Sequence, residues 1–421
     1  MTSPNALDEL EWRGLVAHST DRDALRAALG EGSVRFYVGF DPTAPSLHMG
    51  NLVQLVTARR LQDAGHTPYI LVGGATGMIG DPRDSGERTL NSLDTVKEWT
   101  ERVRDQVSRF VTFEGDNAAT TVNNYDWTAS LSTIDFLRDI GKHFPVNRML
   151  ARDTVKRRLE SGISYTEFSY VLLQSMDYLN LFREHGVVLQ FGGSDQWGNI
   201  TGGAELVRRV TGESVFAFAT PLITKGDGTK YGKTEGGALW LAPEMMSPYA
   251  FHQFWLNVED DKVGELLRIF TFLARDEIED LEQQTAEKPF LRAAQRRLAD
   301  EVTALVHGEH ELEQAKAAAA ALFGGGDLTA IKPDTLASAL REAGGTTLPG
   351  GELPGIIDLL VAAGLVKSKG DARRTVAEGG AYLNNVRVED PDLRPTEADL
   401  VAGSWLVLRR GKKNFAGVEV G

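Results

Sequence analysis

The 421-residue chain predicts an α/β fold on a parallel sheet, followed by a helical stretch and a small α+β tail. Three observations carry this reading. Short β-prone apolar runs alternate with helical ones before about residue 240. The pattern turns helical from about 247 to 323. Past a glycine-rich stretch, residues 353–421 combine one helix with a hairpin.

Taken in order, Val34–Phe40 is a strand candidate, and Asn51–Ala64 carries helical spacing with Gly65 as its stop. Tyr69–Val72 is a second strand, ended by GGATGMIGDP. Val187–Phe191 is another, followed by GGSDQWGN and a helix near Ala204–Val210. Pro248 suits a first helical turn, and Ala315–Phe323 is strongly helix-forming. Residues 324–352, rich in glycine with three prolines nearby, read as a linker around a short helix. Ser368 is placed to cap a helix through Glu378, and AYLNNVRV reads as a hairpin around Asn384-Asn385.

No apolar run approaches the ~18–20 residues that span a bilayer, and the N-terminus does not read as a signal peptide. The absence of cysteine removes disulfides, thiolate metal sites and cysteine nucleophiles. A net charge of −14 argues against a protein coated in nucleic acid. The tail differs, with ten Lys and Arg against nine Asp and Glu in 353–421.

Four motifs point to chemistry. Phe40–Asn51 lies between a strand and a helix, where open α/β sheets bind ligands. Within it His48 and Asn51 share the first helical turn, whose free N–H groups suit phosphate, and Gly50 leaves the backbone bare. The loop KGDGTKYGKTEGG carries Lys225, Lys230 and Lys233, ammonium groups suited to a leaving pyrophosphate. It is not a P-loop, because the residue five before Gly232 is Asp227. Gly73–Asp81 lacks the Gly-x-Gly-x-x-Gly spacing of a dinucleotide site. Tyr170, Gln174 and Asp177 form one polar stripe on an otherwise apolar helix, which a polar ligand could partner. His307 and His310, beside Glu309 and Glu311, read as wet surface and not as a zinc pair.

In that order, His-x-Gly-x, Tyr-x-x-x-Gln-x-x-Asp, GGSDQWGN and Lys-x-x-Lys-Thr resemble the tyrosyl-tRNA synthetases, a class I aminoacyl-tRNA synthetase family. NNYDW, FLRDIGKHFPVNRML, GISYTEFSY and SPYAFHQFW extend the resemblance over nearly the whole chain. It implies a Rossmann-like catalytic domain over 1–240, with a dimer-interface insertion at about 123–152. An α-helical anticodon-arm domain over 241–323, the linker and an S4-like RNA-binding domain over 353–421 would follow. Tyr37 and Asp177 would hydrogen-bond the substrate phenol, and Asp81, Tyr170 and Gln174 its ammonium, with Gln196 near its carboxylate. Asp41, Gly50, Asn51, Gly193 and Asp195 would line the ATP ribose and adenine, and Thr43 and His48 would meet the γ-phosphate. Lys225, Lys230 and Lys233 would clamp pyrophosphate. Lys367, Lys369, Arg373 and Arg374, with Arg409, Arg410, Lys412 and Lys413, would contact tRNA. ATP with Mg²⁺, tyrosine, its tRNA and a second copy of the chain are the expected partners, in the cytoplasm.

Three departures stand out. Asn51 replaces the second histidine of His-x-Gly-His, KYGKT replaces the Lys-Met-Ser-Lys-Ser type, and a lysine often found after Asp81 is absent, with Arg83 or Arg88 as substitutes. A tryptophan-type synthetase and a non-catalytic RNA-binding protein are the competing readings.

Overall fold

The computed structural model describes residues 5–82, 92–224, 238–322, 326–349, 353–411 and 414–421. Arg83, Arg88, Lys225, Lys230, Lys233, Lys412 and Lys413 lie outside the described residues. The chain forms two compact units, one of residues 1–242 and 259–283, the other of 243–258 and 284–421.

The first unit holds six strands: β1 (His18–Ser19), β2 (Arg35–Phe40), β3 (Thr67–Val72), β4 (Thr120–Asn123), β5 (Leu189–Gly193) and β6 (Phe216–Thr220). Their order is β1-β6-β5-β2-β3-β4. All pairs are parallel except β1 with β6. Phe36, Tyr37, Val38 and Phe40 are all buried, so β2 is covered on both faces, as a central parallel strand must be. The chain leaves β2 towards β3 on one side and returns through β5 to β6 on the other. The carboxyl ends of β2 and β5 therefore open a crevice at a topological switch point.

Helix Met49–Asp63 follows β2, and Gly65 takes φ +95° beyond its end. Ser164 caps helix Tyr165–His185 by accepting from the Glu167 N–H at 3.2 Å, and Gly186 ends it in the left-handed region. Segment 259–283, assigned from sequence to the helical domain, belongs to the first unit instead. Arg13 donates to the carbonyls of Arg268, Thr271 and Leu273, and Arg60 also donates to Thr271 O. The two guanidinium groups satisfy carbonyls at and beyond the end of helix Val263–Phe270.

The second unit packs helices Pro248–Leu256, Ala293–His307, Glu309–Leu322 and Pro333–Glu342 beside a five-stranded sheet. Its strands are β7 (Thr346–Leu348), β8 (Ala381–Leu383), β9 (Val386–Arg387), β10 (Trp405–Arg410) and β11 (Asn414–Val420), in the order β7-β11-β10-β8-β9. Asn384 and Asn385, at φ +48° and +64°, make the β8–β9 turn. Alternation along β10 gives the sheet two covered faces. Trp405 and Val407 pack with Tyr249, Leu322, Leu336 and Leu340, while Leu406 and Leu408 pack with Ile356, Leu360 and Val376.

For its described part, 326–349, that packing overturns the linker reading of 324–352. Helix Pro333–Glu342 covers one sheet face, and β7 is a strand paired parallel to β11. Gly345 makes room instead of adding freedom: a Cβ there would lie 2.8 Å from the Trp405 ring.

Candidate active site

Four strand ends supply the crevice. Asp41 follows β2, Gly73–Thr76 follow β3, Asn124 and Trp127 follow β4, and Ser194–Asn199 follow β5. Helix Tyr165–His185 brings Tyr170, Gln174 and Asp177 on one stripe, as their spacing predicted.

Asp177 is buried, and both its oxygens accept: Oδ1 from Trp127 Nε1 at 2.9 Å, Oδ2 from Asn124 Nδ2 at 3.0 Å. Burial outweighs these donors and pushes its pKa up to about 8. Tyr37 packs edge-on to Tyr178 at 5.2 Å, and its buried hydroxyl has no hydrogen-bond partner. Burial first, and the Asp177 carboxyl second, hold the Tyr37 phenol well above its usual pKa, so it stays a donor. Gln174 Oε1 is also buried without a partner.

Asp41 joins this pocket to the helix start. Tyr170 Oη donates to its Oδ2 and Thr76 Oγ1 to its Oδ1, both at 2.6 Å. Asn124 Nδ2 donates to Thr76 Oγ1 at 2.9 Å, so one amide connects the Asp177 and Asp41 sides. Tyr170, expected beside Asp81, is thus bonded to Asp41. Asp81 instead accepts from Gln196 Nε2 at 2.8 Å and Asn199 Nδ2 at 3.1 Å.

At the helix start, His48 Nδ1 accepts from the Gly50 N–H at 3.1 Å, and the His48 N–H donates to Asn51 Oδ1 at 3.0 Å. Asn51 therefore closes a capping box, which accounts for an amide where the related signature has imidazole. The accepting Nδ1 places the ring proton on Nε2, and desolvation lowers the His48 pKa, so the ring is a neutral donor at Nε2. A Cβ on Gly50 would lie 2.9 Å from His48 Cε1, so glycine keeps this ring in place. Thr43 sits in the turn after β2, its N–H bonded to Asp41 O at 2.8 Å. Asp195 is exposed just beyond Gly193. Leu239 and Leu241 hydrogen-bond with Met49 and Leu47, and Trp240 lies 6.1 Å from the His48 ring.

Thr76, Asn124, Trp127, Asn199 and Arg152 were not singled out from sequence. Four of them lie within motifs already quoted, but each bonds a side chain from a different strand end or helix, which no local spacing encodes.

In the tail, Lys367, Arg373 and Arg374 are exposed, while Lys369 pairs with Asp358 at 2.6 Å. Arg410 donates to Leu365 O at 3.1 Å and lies 3.6 Å from Asp371. Arg409 corrects the basic-cluster reading. It is 8% exposed, stacked on Tyr382 at 4.0 Å, with Nη1 donating to Gly411 O. Strand alternation turns it away from its neighbour Arg410, into the protein.

Residues 30–324 match the family described as tRNA synthetases class I (W and Y), and 340–418 match the tyrosine–tRNA ligase SYY-like C-terminal domain. A tyrosine–tRNA ligase of Streptomyces coelicolor is 60% identical over 98% of each chain, and one of Cutibacterium acnes 59% over 97% of each. A C-terminally truncated mitochondrial tyrosyl-tRNA synthetase of Aspergillus nidulans superposes with a TM-score of 0.67 at 31% identity. That match covers 74% of this chain and 92% of the other. The motif order, the switch-point crevice that presents it and these matches together place the chain in the class I tRNA synthetases for tryptophan and tyrosine, among the tyrosine–tRNA ligases.

Proposed function

We infer that the protein activates tyrosine with ATP and transfers it to the tRNA for tyrosine. The tyrosine carboxylate attacks the α-phosphorus, the bond to pyrophosphate breaks, and tyrosyl-adenylate forms. The carboxylate is ionised at neutral pH, so this step asks for alignment and charge stabilisation, not a general base. The tRNA's terminal ribose hydroxyl then attacks the adenylate's carbonyl carbon and AMP leaves.

One observation carries the choice of tyrosine: the buried pair of Asp177 and the unpartnered Tyr37 hydroxyl. A phenol can donate to Asp177 and accept from Tyr37. An indole N–H donates only, and would leave Tyr37 buried without an acceptor. In this reading Asp81 and Gln174 hold the ammonium, with Tyr170 oriented by Asp41, and Gln196 lies near the carboxylate. Asp41, Gly50, Asn51, Gly193 and Asp195 line the nucleotide. Thr43 and the His48 Nε2–H meet phosphate, and Lys225, Lys230 and Lys233 neutralise the leaving pyrophosphate. Among the described residues no three acidic or imidazole groups converge as a metal cage. Magnesium is assigned to the ATP phosphate oxygens, the ligands this ion prefers. Exposed Ile134, Leu137 and Val146 support a self-complementary two-fold interface in the 123–152 segment. No helix among the described residues is long and apolar enough to cross a membrane, and a cytoplasmic place fits a translation enzyme.

The test is exchange of labelled pyrophosphate into ATP. It should depend on tyrosine and not respond to tryptophan. Exchange with tryptophan alone would favour the other branch of the family, and none with either amino acid would favour a non-catalytic RNA-binding protein.

A further inference from the structure

The carboxylate of Asp81 is held by two side-chain amides and no other described donor. Gln196 and Asn199 each give it one N–H, and Asn199 Nδ2 also donates to Gln196 Oε1 at 2.9 Å. An amide has nearly the same shape when turned over, and would then aim its oxygen at the carboxylate. Something must exclude that arrangement. Arg152 Nη2 donates to Asn199 Oδ1. A guanidinium has donors only, so Asn199 must present its oxygen to Arg152 and its NH₂ to Asp81 and Gln196. Gln196 then has its oxygen engaged and must turn its own NH₂ to Asp81. The guanidinium lies against Gly198, where a Cβ would come within 2.9 Å of Nη2, so the glycine of GGSDQWGN gives it a seat.

We propose that Arg152 is a positioning residue that locks Asn199 and Gln196 as donors, keeping Asp81 an ionised acceptor for the substrate ammonium. It acts through Asn199 and not on a reacting atom. The surrounding charges make such a lock necessary. Burial raises the Asp81 pKa, the Gln196 and Asn199 bonds lower it, the Asp41 carboxylate raises it, and the Arg152 charge lowers it. Tyr170, facing from its helix, stays a neutral phenol because burial raises its pKa. Without the lock, an overturned amide would put oxygen beside carboxylate, and Asp81 would take up a proton at higher pH.

The inference rests on the assignment of Asp81 to the ammonium, and its test separates the two. Pyrophosphate exchange is measured from about pH 5 to 9 for the natural chain, Arg152→Met and Arg152→Lys. Exchange by the natural chain must be present, or the functional reading fails first. Arg152→Met should raise the tyrosine KM about tenfold, the scale of one lost hydrogen bond to a charged group, with kcat changed less. The acid limb of its kcat/KM should move to higher pH. Arg152→Lys, also a pure donor, should restore most of both. Tyramine, which keeps the ammonium and lacks the carboxylate, should inhibit Arg152→Met more weakly. The deaminated analogue of tyrosine should inhibit both forms alike. The reverse pattern would overturn the proposal by placing Arg152 on the substrate carboxylate, and so would an unchanged KM and pH profile.

Discussion

Asp177 is ordinary in sequence and unusual in place. Its carboxyl is pushed up to about 8, whereas in an unfolded chain it titrates near about 3.9. Between those values the native state holds a proton that the unfolded state has released. Native stability therefore falls as pH rises from about 4 to 8 on account of this group. Asp177→Asn removes the titration. The melting temperature of the variant, relative to the natural chain, should climb steadily from about pH 5 to 8. A constant difference would contradict the buried, proton-holding carboxyl. The residue itself was legible, because helical spacing put it in line with Tyr170 and Gln174. Its environment was not. Asn124 and Trp127 come from beyond another strand, and only the sheet order brings them to Asp177.

Among the elements, the turn after β3 constrains the site most tightly. A Cβ on Gly73 would overlap Asp41 Oδ1 and Thr76 Oγ1, the two atoms whose bond orients the Asp41 carboxylate. Gly73→Ala should lower kcat/KM for tyrosine in pyrophosphate exchange by about 10²-fold, the scale of a misplaced binding group. Unchanged exchange would mean that the Asp41–Thr76 bond is dispensable. The helix and hairpin of the tail were legible from local chemistry: Ser368 caps by accepting from the Asp371 N–H at 3.2 Å, and the Asn-Asn turn has the positive φ it needs. The Arg409-Arg410 pair was misread because like charges in sequence look like one patch, while a strand sends alternate residues to opposite faces. Arg373→Ala with Arg374→Ala should weaken tRNA binding and flatten its salt dependence by about one to two counterions, leaving exchange intact. Arg409→Ala should instead lower the melting temperature, with the salt slope preserved. A salt slope that follows Arg409 would restore it to the RNA surface.

For the molecule as a whole, the boundaries between elements were more legible than the boundaries between units. Nothing local in 324–352 announces that Gly345 makes room for an indole sixty residues later, so its composition reads as slack. A chain cut near Gly326 would retain the switch-point sheet but strip Leu336, Leu340, Trp405 and Val407 from the core around Tyr249 and Leu322. It should keep tyrosine-dependent exchange, lose tRNA charging, and show an earlier melting transition for the remaining helices. Trp405→Ala in the full chain should reproduce that earlier transition at a cost of about 3–5 kcal/mol. If neither change shifts the transition, the helices and the tail sheet do not share one core.

The position of β11 has a consequence for biosynthesis. This strand, made after both of its neighbours, lies between β7 and β10 in the finished sheet, and Trp405 beside it completes a core begun at Tyr249. A ribosome adding about 5–20 residues per second needs roughly 8–31 s to travel from the first of those side chains to the second. Through that interval the nascent helices expose the apolar surface that the finished sheet will cover. The switch-point sheet has a wait of its own, since β2 pairs with β5 and β1 with β6, but it ends earlier, with the last strand at Thr220. Synthesis therefore finishes the switch-point sheet while the later helices still await the strands that cover them.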